Sequence, residues 1–440
     1  MILKAKAYII LSGMERTLTS KLLDWKNSRY RQPLILKGVR QCGKTFLLKE
    51  FGKRYYDDCV YFNFEGNKIL QSVFETDLNP ERIITELAAI VKKDIYPGKT
   101  LVIFDEIQFC NQALTSLKYF CEDAPQFHIA AAGSLLGIAL SKPLSFPVGK
   151  VDFLTLYPMN FYEYLLANGE NLMCGQLEKL LITDPVPAAF AKKLEEHLIH
   201  YYICGGMPEA VSNWITERNF ENLESILQKI LDSYELDFAK HAPKSDFPKL
   251  TAIWRSIPTQ LARENGKFIF SHAKTGSKAR DLEDALEWLI SAGLAYKVAK
   301  IEKPFMPLSS YADFSYFKLY MVDIGLLRKM SRLPAAAFLE NNGVFKEFKG
   351  AVAENYVLCE LVNKNGDVPF YWKSGNTAEV DFVIQSGVDI VPVEVKAADN
   401  VRARSLTEYS KKYSPNKVVI TSLKNNGGNF VPLYMLWRGV

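Results

Sequence analysis

The amino-acid sequence predicts an α/β protein, and its first part is predicted to be a parallel sheet covered by helices. Two observations support this fold class. Short apolar runs alternate with segments of helical periodicity between residues 34 and 156, which is the pattern of successive β-α-β units. One of these runs, residues 34–36, leads directly into a glycine-containing loop and then into a helix. A chain of 440 residues, 48% hydrophobic and 23% charged, is long enough for two to four ordinary globular domains.

The predicted elements of this first part follow one another in a regular order. A short amphipathic helix over residues 16–26 precedes the strand at 34–36, and the loop and its helix come next. Further strands are predicted over residues 59–64, 100–106, 127–132 and 151–156, with helices over 80–91 and 114–120.

Composition narrows the classes of protein. The formal net charge of +5 is compatible with DNA as a partner but supports it weakly. The seven cysteines have no C-x-x-C spacing, so we expect reduced thiols in the cytoplasm and neither disulfides nor a zinc site. No run of about twenty apolar residues could span a membrane, and residues 7–11 are too short an apolar run for a signal peptide. Residues 1–13 are predicted to be a disordered lead or a misassigned start.

Residues 38–45, GVRQCGKT, match the phosphate-binding pattern G-x-x-x-x-G-K-[ST]. The glycines let the backbone turn so that successive N–H groups point inward at the start of a helix, which forms a site for an anion. The Lys44 ammonium is predicted to act on the β- and γ-phosphates of ATP, and the Thr45 hydroxyl to ligate Mg²⁺. A chance match in an ordinary glycine turn is the alternative, and the flanking strand and helix make it rare. The predicted nucleotide-binding residues of this loop are Gly38, Arg40, Gln41, Cys42, Gly43, Lys44, Thr45 and Phe46.

Two acids end the strand at residues 100–106 and are predicted to complete the ATP site. Asp105 is expected to hold the Mg²⁺ shell, and Glu106 to activate or position the attacking water. The alternative is that both are solvated acids at the start of a loop. Ser134, just past the strand at 127–132, is predicted to contact the γ-phosphate.

The middle of the chain is predicted to be largely helical. Residues 172–236 indicate a small helical lid, and residues 247–300 indicate three helices followed by a strand at 294–301, which is the order of a winged-helix domain. The third of these helices has basic residues at its start and acids along its length, so contact with DNA stays open. The basic residues are Lys274, Lys278 and Arg280, and the acids are Asp281, Glu283, Asp284 and Glu287.

A second set of acids and a lysine lies in the last hundred residues. Glu354 is on a predicted helix, Asp381 on a strand, and Glu394 and Lys396 on the next strand. Residues two apart leave the same face of a sheet, and Asp381 can meet Glu394 across a hairpin. Converging carboxylates would hold one or two Mg²⁺ ions on a scissile phosphate, and Lys396 would lower the pKa of the attacking water. The alternative is an amphipathic hairpin with solvated charges. The predicted catalytic residues are Asp381, Glu394 and Lys396, and the predicted Mg²⁺ ligands are Glu354, Asp381 and Glu394.

Several segments resemble those of known families. The segments GVRQCGKTFLLKEF, LVIFDEIQ, LKYF, AAGSLLG and FPVGKVDFLTLYPMNFYEYL occur in this order. They resemble the prokaryotic AAA-type ATPases that have a glutamate in the Walker B motif and a C-terminal domain of largely unassigned role. The set around Asp381 and Glu394 resembles the core of PD-(D/E)xK nucleases. The AAA-type resemblance implies a homo-oligomer that ATP promotes. Many relatives have Gly-Arg where this chain has Gly149-Lys150, and lysine lacks the planar fork of arginine.

These observations predict five segments and two hypotheses for function. The leading hypothesis is an ATPase that binds ATP and Mg²⁺ and is coupled to a nuclease-like, DNA-processing domain, in mobile-element or defence biology. The rival is a nucleotide-dependent signalling or scaffold ATPase whose C-terminal domain binds nucleic acid or protein without cutting it. The segments are a lead over residues 1–13, an AAA-type P-loop ATPase core over 14–168, a helical lid over 169–240, a winged-helix domain over 241–332 and a restriction-endonuclease-like α/β domain over 333–440.

Overall fold

The computed structural model describes residues 14–133, 149–181, 184–263, 266–339, 346–375, 378–397, 403–425 and 427–440. Within these residues the chain forms two compact units. The first unit contains residues 14–157 together with 291–293, and the second contains residues 158–290 and 294–440.

The first unit is built from five strands and five helices among its described residues. In chain order these elements are α1 (Leu18–Asn27), β1 (Leu34–Lys37), α2 (Lys44–Tyr55), β2 (Asp58–Asn63), α3 (Lys68–Ser72), α4 (Pro80–Val91), β3 (Thr100–Asp105), α5 (Asn111–Asp123), β4 (His128–Ala132) and β5 (Asp152–Thr155).

The five strands form one sheet in the order β2-β3-β4-β1-β5, and every neighbouring pair is parallel. All residues of β3 and β4 are buried, which requires cover on both faces of the sheet. The predicted parallel α/β core is therefore confirmed. Because β4 lies between β1 and β3, the ends of those two strands are about 10 Å apart at the same edge of the sheet.

An aromatic cluster holds the centre of this unit. The Phe104 ring packs against the rings of Phe62, Phe64, Phe74 and Phe120, with centroid separations between 5.5 and 6.4 Å and steep interplanar angles. Edge-to-face pairs of this kind add to the free energy gained from burial alone. The cluster fixes β3 immediately before the two acids that end it.

The second unit is larger and combines helices with a second sheet. Its described elements are α6 (Phe161–Ala167), α7 (Asn171–Leu177), α8 (Ala188–Cys204), α9 (Pro208–Glu217), α10 (Phe220–His241), α11 (Phe247–Leu261), α12 (Phe270–Ala273), α13 (Ala279–Ser291), β6 (Ala295–Ile301), β7 (Ala312–Met321), α14 (Ile324–Met330), α15 (Ala336–Leu339), α16 (Lys346–Asn365), β8 (Phe370–Ser374), β9 (Ala378–Ser386), β10 (Asp389–Val395), α17 (Arg404–Tyr413), β11 (Val419–Ser422) and β12 (Phe430–Pro432).

The helices predicted to form a lid over residues 169–240 belong to this second unit. Helix α8 packs against α14 and α15, and α10 packs against α14. The last four residues of α8, from Tyr201 to Cys204, are all buried. The last turn of α8 therefore lies inside a core, whereas earlier residues of this helix are partly exposed. These helices are therefore a structural part of the C-terminal unit.

The Gly-Gly-Met-Pro turn that interrupts these helices has a packing role. The Gly206 N–H donates to Asp323 Oδ2 at 2.6 Å, and Asp323 also caps α14 through the Leu326 N–H at 2.9 Å. A Cβ atom added at Gly206 would lie 2.1 Å from the Met159 carbonyl oxygen. The absence of a side chain thus lets the start of α9 contact both α14 and the chain before α6.

The second sheet crosses the predicted boundary at residue 332. Its strand order is β12-β11-β10-β9-β8-β6-β7, so β6, predicted to be a wing, pairs in parallel with β8. The three helices before it, α11 to α13, are present as predicted. Strand β6 buries five of its seven residues, since it has a paired strand on each side. A neighbouring strand therefore extends the sheet across both predicted domains.

A buried carboxyl on α16 gives this unit a pH dependence. Glu360 is 2% exposed, accepts the Phe161 N–H at 2.8 Å, and its Oε2 has no hydrogen-bond partner among the described residues. Burial raises its pKa to about 8, and the carboxylate of Glu163 adds to this. A pKa raised in the folded state stabilises the fold below the ordinary pKa near 4.5, and this stability is lost as the pH rises through about 8.

We therefore expect the melting temperature of the wild-type chain to fall between pH 5 and pH 9. The melting temperature of a Glu360→Gln variant should fall by at least about 5 °C less over this range. The exposed Glu221, changed to Gln, is the matched control because its carboxyl lies on the surface of the same unit. Equal losses in the two variants, measured by thermal denaturation at each pH, would contradict this role of Glu360.

Candidate functional site

The phosphate-binding loop lies where the sequence predicts it, between β1 and α2. Gly43 precedes the first residue of α2 and has a φ of 98°, a conformation that glycine adopts at little cost. The loop begins at Gly38, directly after β1, and the N–H groups of the first turn of α2 stay available to an anion. This part of the chain has the geometry of a phosphate site.

Lys44 is buried inside the curl of the loop. Lys44 is only 7% exposed, and its Nζ donates to the carbonyl oxygens of Gly38 and Val39, both at 2.8 Å. An ammonium group needs such partners when it is taken out of water. The Lys44 ammonium therefore lies within the loop, where the sequence predicts it.

The side chains of Asp105 and Thr45 are in contact at the carboxyl ends of the strands, although the two residues are 60 positions apart in sequence. The Thr45 hydroxyl donates to Asp105 Oδ2 at 2.7 Å, and the same oxygen accepts the Tyr61 hydroxyl at 2.8 Å. Asp105 Oδ1 accepts the Glu106 N–H at 3.1 Å. A buried carboxylate beside a hydroxyl supplies the hard oxygen donors that suit Mg²⁺. The residues present therefore fit the predicted Mg²⁺ ion, which would be held by Thr45 and Asp105.

Glu106 is held at the mouth of this site in an uncommon backbone conformation. Its φ is 50°, the left-handed region that a non-glycine residue adopts rarely and mostly at functional positions. Gln108 Nε2 donates to Glu106 Oε2 at 2.5 Å, which orients the carboxylate. The predicted water-activating group is thus next to Asp105 and fixed by a neighbour.

The other residues predicted to contact the nucleotide differ in how deeply their side chains are buried. Arg40 and Phe46 are half-buried beside the loop, and Gln41 is exposed. Cys42 is fully buried, with its Sγ 3.5 Å from the Leu156 carbonyl oxygen, so this side chain packs the loop against β5. Ser134 lies outside the described residues.

The sequence did not predict a cavity that opens beside the loop. Its volume is about 150 Å³, and Arg16, Phe46, Phe51 and Tyr55 are among the residues that line it. Arg16 also donates to the Cys42 carbonyl oxygen at 3.0 Å, which ties this wall to the loop. Because Phe46 follows Thr45 directly, the cavity adjoins the phosphate site. It is therefore the candidate position for the base of a nucleotide.

The sequence motifs also did not identify Tyr61. We expect its hydroxyl to influence the Mg²⁺ concentration that phosphate release requires. Burial, followed by its bond to Asp105, raises the pKa of the Tyr61 phenol, so it stays a donor. A Tyr61→Phe variant should need a several-fold higher Mg²⁺ concentration for half-maximal phosphate release, since Asp105 loses one of its orienting donors. Tyr96→Phe is the control, because Tyr96 makes a similar bond to the exposed Asp94. Mg²⁺ dependence identical in both variants would contradict this role.

Lys150 lies at the end of the sheet where the strands begin, whereas the phosphate loop lies at the end where the strands finish. It precedes β5, its Nζ is 3.0 Å from Glu122 Oε1, and the neighbouring Gly149 carbonyl accepts Gln32 Nε2 at 3.0 Å. Strands of four residues span about 13 Å, and the loop follows the far end of β1. Lys150 is therefore too distant to contact a γ-phosphate in its own loop.

In the second unit the structure brings Asp381, Glu394 and Lys396 together as predicted. Strands β9 and β10 are antiparallel, with Phe382 opposite Val393. The Val395 N–H donates to Asp381 Oδ2 at 2.7 Å, and Lys396 Nζ is 2.7 Å from Glu394 Oε1. This hairpin therefore carries buried charges and is not the solvated hairpin of the alternative prediction.

Three further residues contact these acids, and the sequence analysis did not predict them: Lys318, Tyr320 and Glu379. Lys318 on β7 is 3% exposed, and its Nζ lies 2.7 Å from Glu379 Oε1 and 3.4 Å from Glu354 Oε2. The Tyr320 hydroxyl donates to Glu354 Oε2 at 2.9 Å. Lys318 and Tyr320 are two apart on one strand, and this alternation of polar residues in an otherwise apolar segment was the available signal.

The electrostatics of this cluster are strongly coupled. Burial raises the pKa of Asp381 well above its ordinary range, and the carboxylates of Glu354 and Glu394 raise it further. Burial likewise raises the pKa of Glu394, against the effect of Lys396. Burial alone would lower the pKa of the Lys318 ammonium, but Glu354 and the other acids outweigh it and the pKa is raised. Burial is therefore the main cause of the raised pKa of both Asp381 and Glu394.

The predicted three-carboxylate Mg²⁺ site is not assembled in this geometry. No group of three or more His, Cys, Asp or Glu side chains is placed to hold a metal ion in the part of the chain that the structure describes. Glu354 is instead bonded to Tyr320 and Lys318. Glu394 Oε2 is buried without a hydrogen-bond partner among the described residues. Of the three predicted ligands, Glu394 thus has a buried oxygen without a partner, while Glu354 is bonded to other side chains.

Comparison with known proteins agrees with the geometry of the first unit. Residues 30–165 match the family model described as an AAA domain, and this part of the chain is an AAA-type P-loop domain. Residues 195–337 and 349–433 match two models, each described as a domain of unknown function (DUF8612 and DUF4143). Neither match assigns a winged helix or a nuclease.

The chain as a whole is similar to proteins at low identity. An uncharacterized protein of Methanocaldococcus jannaschii is 24% identical over 421 residues, which cover 89% of this chain and 80% of that protein. The Walker-type ATPase of Pyrococcus abyssi is 15% identical, with a TM-score of 0.45 over 72% of this chain and 95% of that one. The RuvB Holliday junction branch migration motor of Thermotoga maritima is also 15% identical, with a TM-score of 0.32 over 65% and 90%.

None of the helices within the described ranges is long and apolar enough to cross a membrane.

Proposed function

We propose that this chain is a Mg²⁺-dependent ATPase whose nucleotide cycle controls a nuclease-like C-terminal domain that acts on DNA. The observation that carries the ATPase activity is the contact between Thr45 and Asp105, 2.7 Å long, with Glu106 directly beside it. A phosphate site, a pair of Mg²⁺ donors and a water-activating carboxylate are the parts that phosphoryl transfer to water needs. Phosphate release from ATP, measured with and without Mg²⁺, tests this directly.

Binding would begin with an exchange of partners at Lys44. The ammonium now donates to two backbone carbonyls, and the β- and γ-phosphates of ATP would take over these bonds. The phosphates are negatively charged, so the ammonium gains a Coulomb attraction to them that the neutral carbonyl oxygens do not offer. The exchange therefore favours the bound state and needs no new cation.

Hydrolysis would then depend on the two acids after β3. Mg²⁺, when bound, neutralises charge on the phosphates, and Thr45 and Asp105 would hold it. The Glu106 carboxylate, oriented by Gln108, would position a water and accept its proton. The residues that bind and the residue that activates water are distinct, so variants should separate binding from turnover.

The proposed action on DNA is supported by the buried Glu394 and the half-buried Asp381 on adjacent strands, with Lys396 directly after the second strand. The test is incubation of the full chain with plasmid and single-stranded DNA, with Mg²⁺ or Mn²⁺, and with or without ATP. Cleavage that ATP changes, and that Lys396→Ala abolishes, is the expected result. The absence of cleavage under all of these conditions would remove nuclease action and leave the ATPase proposal standing.

A second candidate function is binding of nucleic acid or protein without cleavage. The buried Lys318 favours it, since this ammonium already neutralises part of the carboxylate cluster. In this case the full chain should bind DNA or a protein partner in an ATP-dependent way and release no nucleotides. A binding measurement run beside the cleavage assay separates the two candidates.

Self-association promoted by ATP is part of the proposal. Lys150 cannot reach its own phosphate site, because it lies at the opposite edge of the sheet, paired with Glu122. It would reach the site of a neighbouring subunit if subunits packed edge to edge. Light scattering with and without a non-hydrolysable ATP analogue should show a larger particle with the analogue. A monomer in both conditions that still hydrolyses ATP would contradict assembly.

A further inference from the structure

Strand β7 lies at one end of the strand order of the second sheet, and it contains a bulge. The register of β7 against β6 jumps from Phe317 to Asp313, so residues 314–316 have no partner on β6. A bulge at a sheet edge bends the strand and redirects its side chains. All three bulged residues are exposed. Residues 314–316, here called the edge bulge, therefore present their side chains to solvent.

Two of the three residues in the edge bulge are aromatic. Phe314 is 59% exposed, and Tyr316 is 43% exposed. Single exposed apolar side chains are common on protein surfaces, whereas neighbouring ones surrounded by polar groups mark sites of contact with another molecule. The edge bulge therefore has the composition of a binding surface.

Two lysines place their charged groups at the ring of Tyr316. Lys267 Nζ lies 3.4 Å from the ring centroid, and Lys300 Nζ lies 4.5 Å from it. Such ammonium groups are attracted by the electrons of the ring. Among the described residues Lys267 has no carboxylate partner, and Lys300 has Asp313 at 3.7 Å. The edge bulge therefore combines exposed rings with two cations, whose charge one carboxylate offsets in part.

A packed base holds the edge bulge in place. The ring of Phe317, which follows Tyr316, stacks on the ring of Phe268 with their centroids 5.4 Å apart. The Phe268 N–H also donates to the Phe317 carbonyl oxygen at 2.8 Å, and both residues are 2% exposed. Binding costs less conformational entropy when the contacting residues are held in place beforehand. The edge bulge is therefore positioned before any ligand arrives.

The edge bulge adjoins the carboxylate cluster of the same unit. Lys300 is the register partner of Tyr371 on β8, and the Tyr371 ring centroid lies 5.5 Å from Lys318 Nζ. Lys318 in turn lies 2.7 Å from Glu379. A long ligand bound at the edge bulge would therefore pass beside this cluster.

We propose that the edge bulge binds single-stranded DNA, with a base stacked on Phe314 and backbone phosphates on Lys267 and Lys300. An unpaired base offers a face that stacks on an aromatic ring, and lysine side chains neutralise phosphates. The bases of a duplex cover one another's faces, so the exposed ring favours a single strand. The choice of DNA rests on the proposed function, while the binding itself requires neither cleavage nor ATP turnover.

A β-strand of another protein fits this edge less well. Bulges and lysines at a sheet edge discourage pairing with a further strand. In addition, Lys267 already forms a bridge to Lys318, and Phe268 bonds to Phe317, on the free side of β7. The exposed rings and cations, in contrast, match the bases and phosphates of a single strand.

The test is fluorescence anisotropy with a labelled oligo-dT of about 15 nucleotides. It is added to the full chain in EDTA without ATP, so that neither cleavage nor ATP turnover takes place. The wild-type chain should bind oligo-dT several-fold more tightly than a duplex of the same length. Phe314→Ala should weaken binding at least about fivefold, and Phe314→Tyr, which keeps a ring, should restore it. Tyr30→Ala is the matched control, because it removes an exposed ring from the first unit.

The two lysines should give a different signature, which a purely structural role would not produce. Each phosphate contact of a single strand contributes about 0.7 to the slope of log affinity against log salt concentration. Lys267→Ala and Lys300→Ala should each lower this slope by about that amount. Phe314→Ala should keep the wild-type slope, because it removes a stacking contact and no charge. Lys229→Ala, which changes an exposed lysine on α10, is the control for charge, and thermal denaturation shows that each variant is folded.

Three outcomes would overturn the inference. They are wild-type affinity for oligo-dT in Phe314→Ala, duplex binding as tight as oligo-dT binding, and absence of oligo-dT binding in the wild-type chain. In the last case, self-association that Phe314→Ala abolishes in light scattering would assign the edge bulge to a protein contact. Phosphate release and DNA cleavage are measured separately on the same preparations. If both are absent while oligo-dT binds as described, the proposed function fails and this inference stands.

Discussion

A Glu106→Gln variant is expected to bind ATP like the wild-type chain and to release phosphate roughly 100-fold to 10,000-fold more slowly. The amide keeps the size of the carboxylate but cannot accept a proton from water. Glu106 makes none of the bonds that hold Lys44 or Thr45 in the phosphate loop, so binding should survive. Titration of a fluorescent ATP analogue and measurement of phosphate release separate the two effects.

The matched control is Glu75→Gln, which changes an exposed acid in the same unit. It should leave both binding and hydrolysis within about twofold of wild type, as surface substitutions usually do. Hydrolysis by Glu106→Gln at the wild-type rate would show that another group activates the water. Loss of binding in Glu106→Gln would instead assign this residue to the nucleotide contacts.

A Lys44→Ala variant is expected to lose ATP binding by at least about 100-fold and to lose hydrolysis with it. Removing one partner of a desolvated charge pair costs about 3–5 kcal/mol, and each 1.4 kcal/mol is a factor of ten in affinity. Lys44 is the buried cation of the loop and is poised on Gly38 and Val39. Titration of a fluorescent ATP analogue, with the fold checked by thermal denaturation, measures the effect.

Lys53→Ala is the control for this change, because Lys53 is an exposed lysine on the same helix, α2. It removes the same charge from the unit without touching the loop and should bind ATP normally. Equal losses in the two variants would indicate a general effect of charge and not a contact with phosphate. Normal binding by Lys44→Ala would contradict the assignment of the loop.

The ATP site was largely predictable because its parts are local in sequence. The loop over residues 38–45 has a fixed spacing that backbone geometry imposes, and Asp105 and Glu106 end a strand that its apolar run marks clearly. Tyr61 could not be predicted in the same way. Its role depends on the pairing of β2 with β3, and two helices separate these strands in the sequence, so no local motif joins Tyr61 to Asp105.

The C-terminal cluster was predictable only in part, for a similar reason. Asp381 and Glu394 lie on two strands joined by a short hairpin, and Lys396 directly follows the second strand, so their meeting follows from period-two alternation. Lys318 enters from β7, a strand separated from β9 by β8 and β6 in the sheet. A single lysine in an apolar strand carries no signal of its partners, and its effect on Glu354 therefore had to be seen in the structure.

The sequence by itself determined the P-loop core, since helix and strand periods and the phosphate-binding spacing are properties of short segments. Tertiary structure alone decided how those segments are grouped. Pairing of β6 with β8 joins residues about 70 positions apart and carries the second sheet across a predicted boundary. The helices over residues 161–241 likewise joined the C-terminal unit. Both outcomes depend on which buried faces find each other, and long-range packing of this kind leaves no period in the sequence.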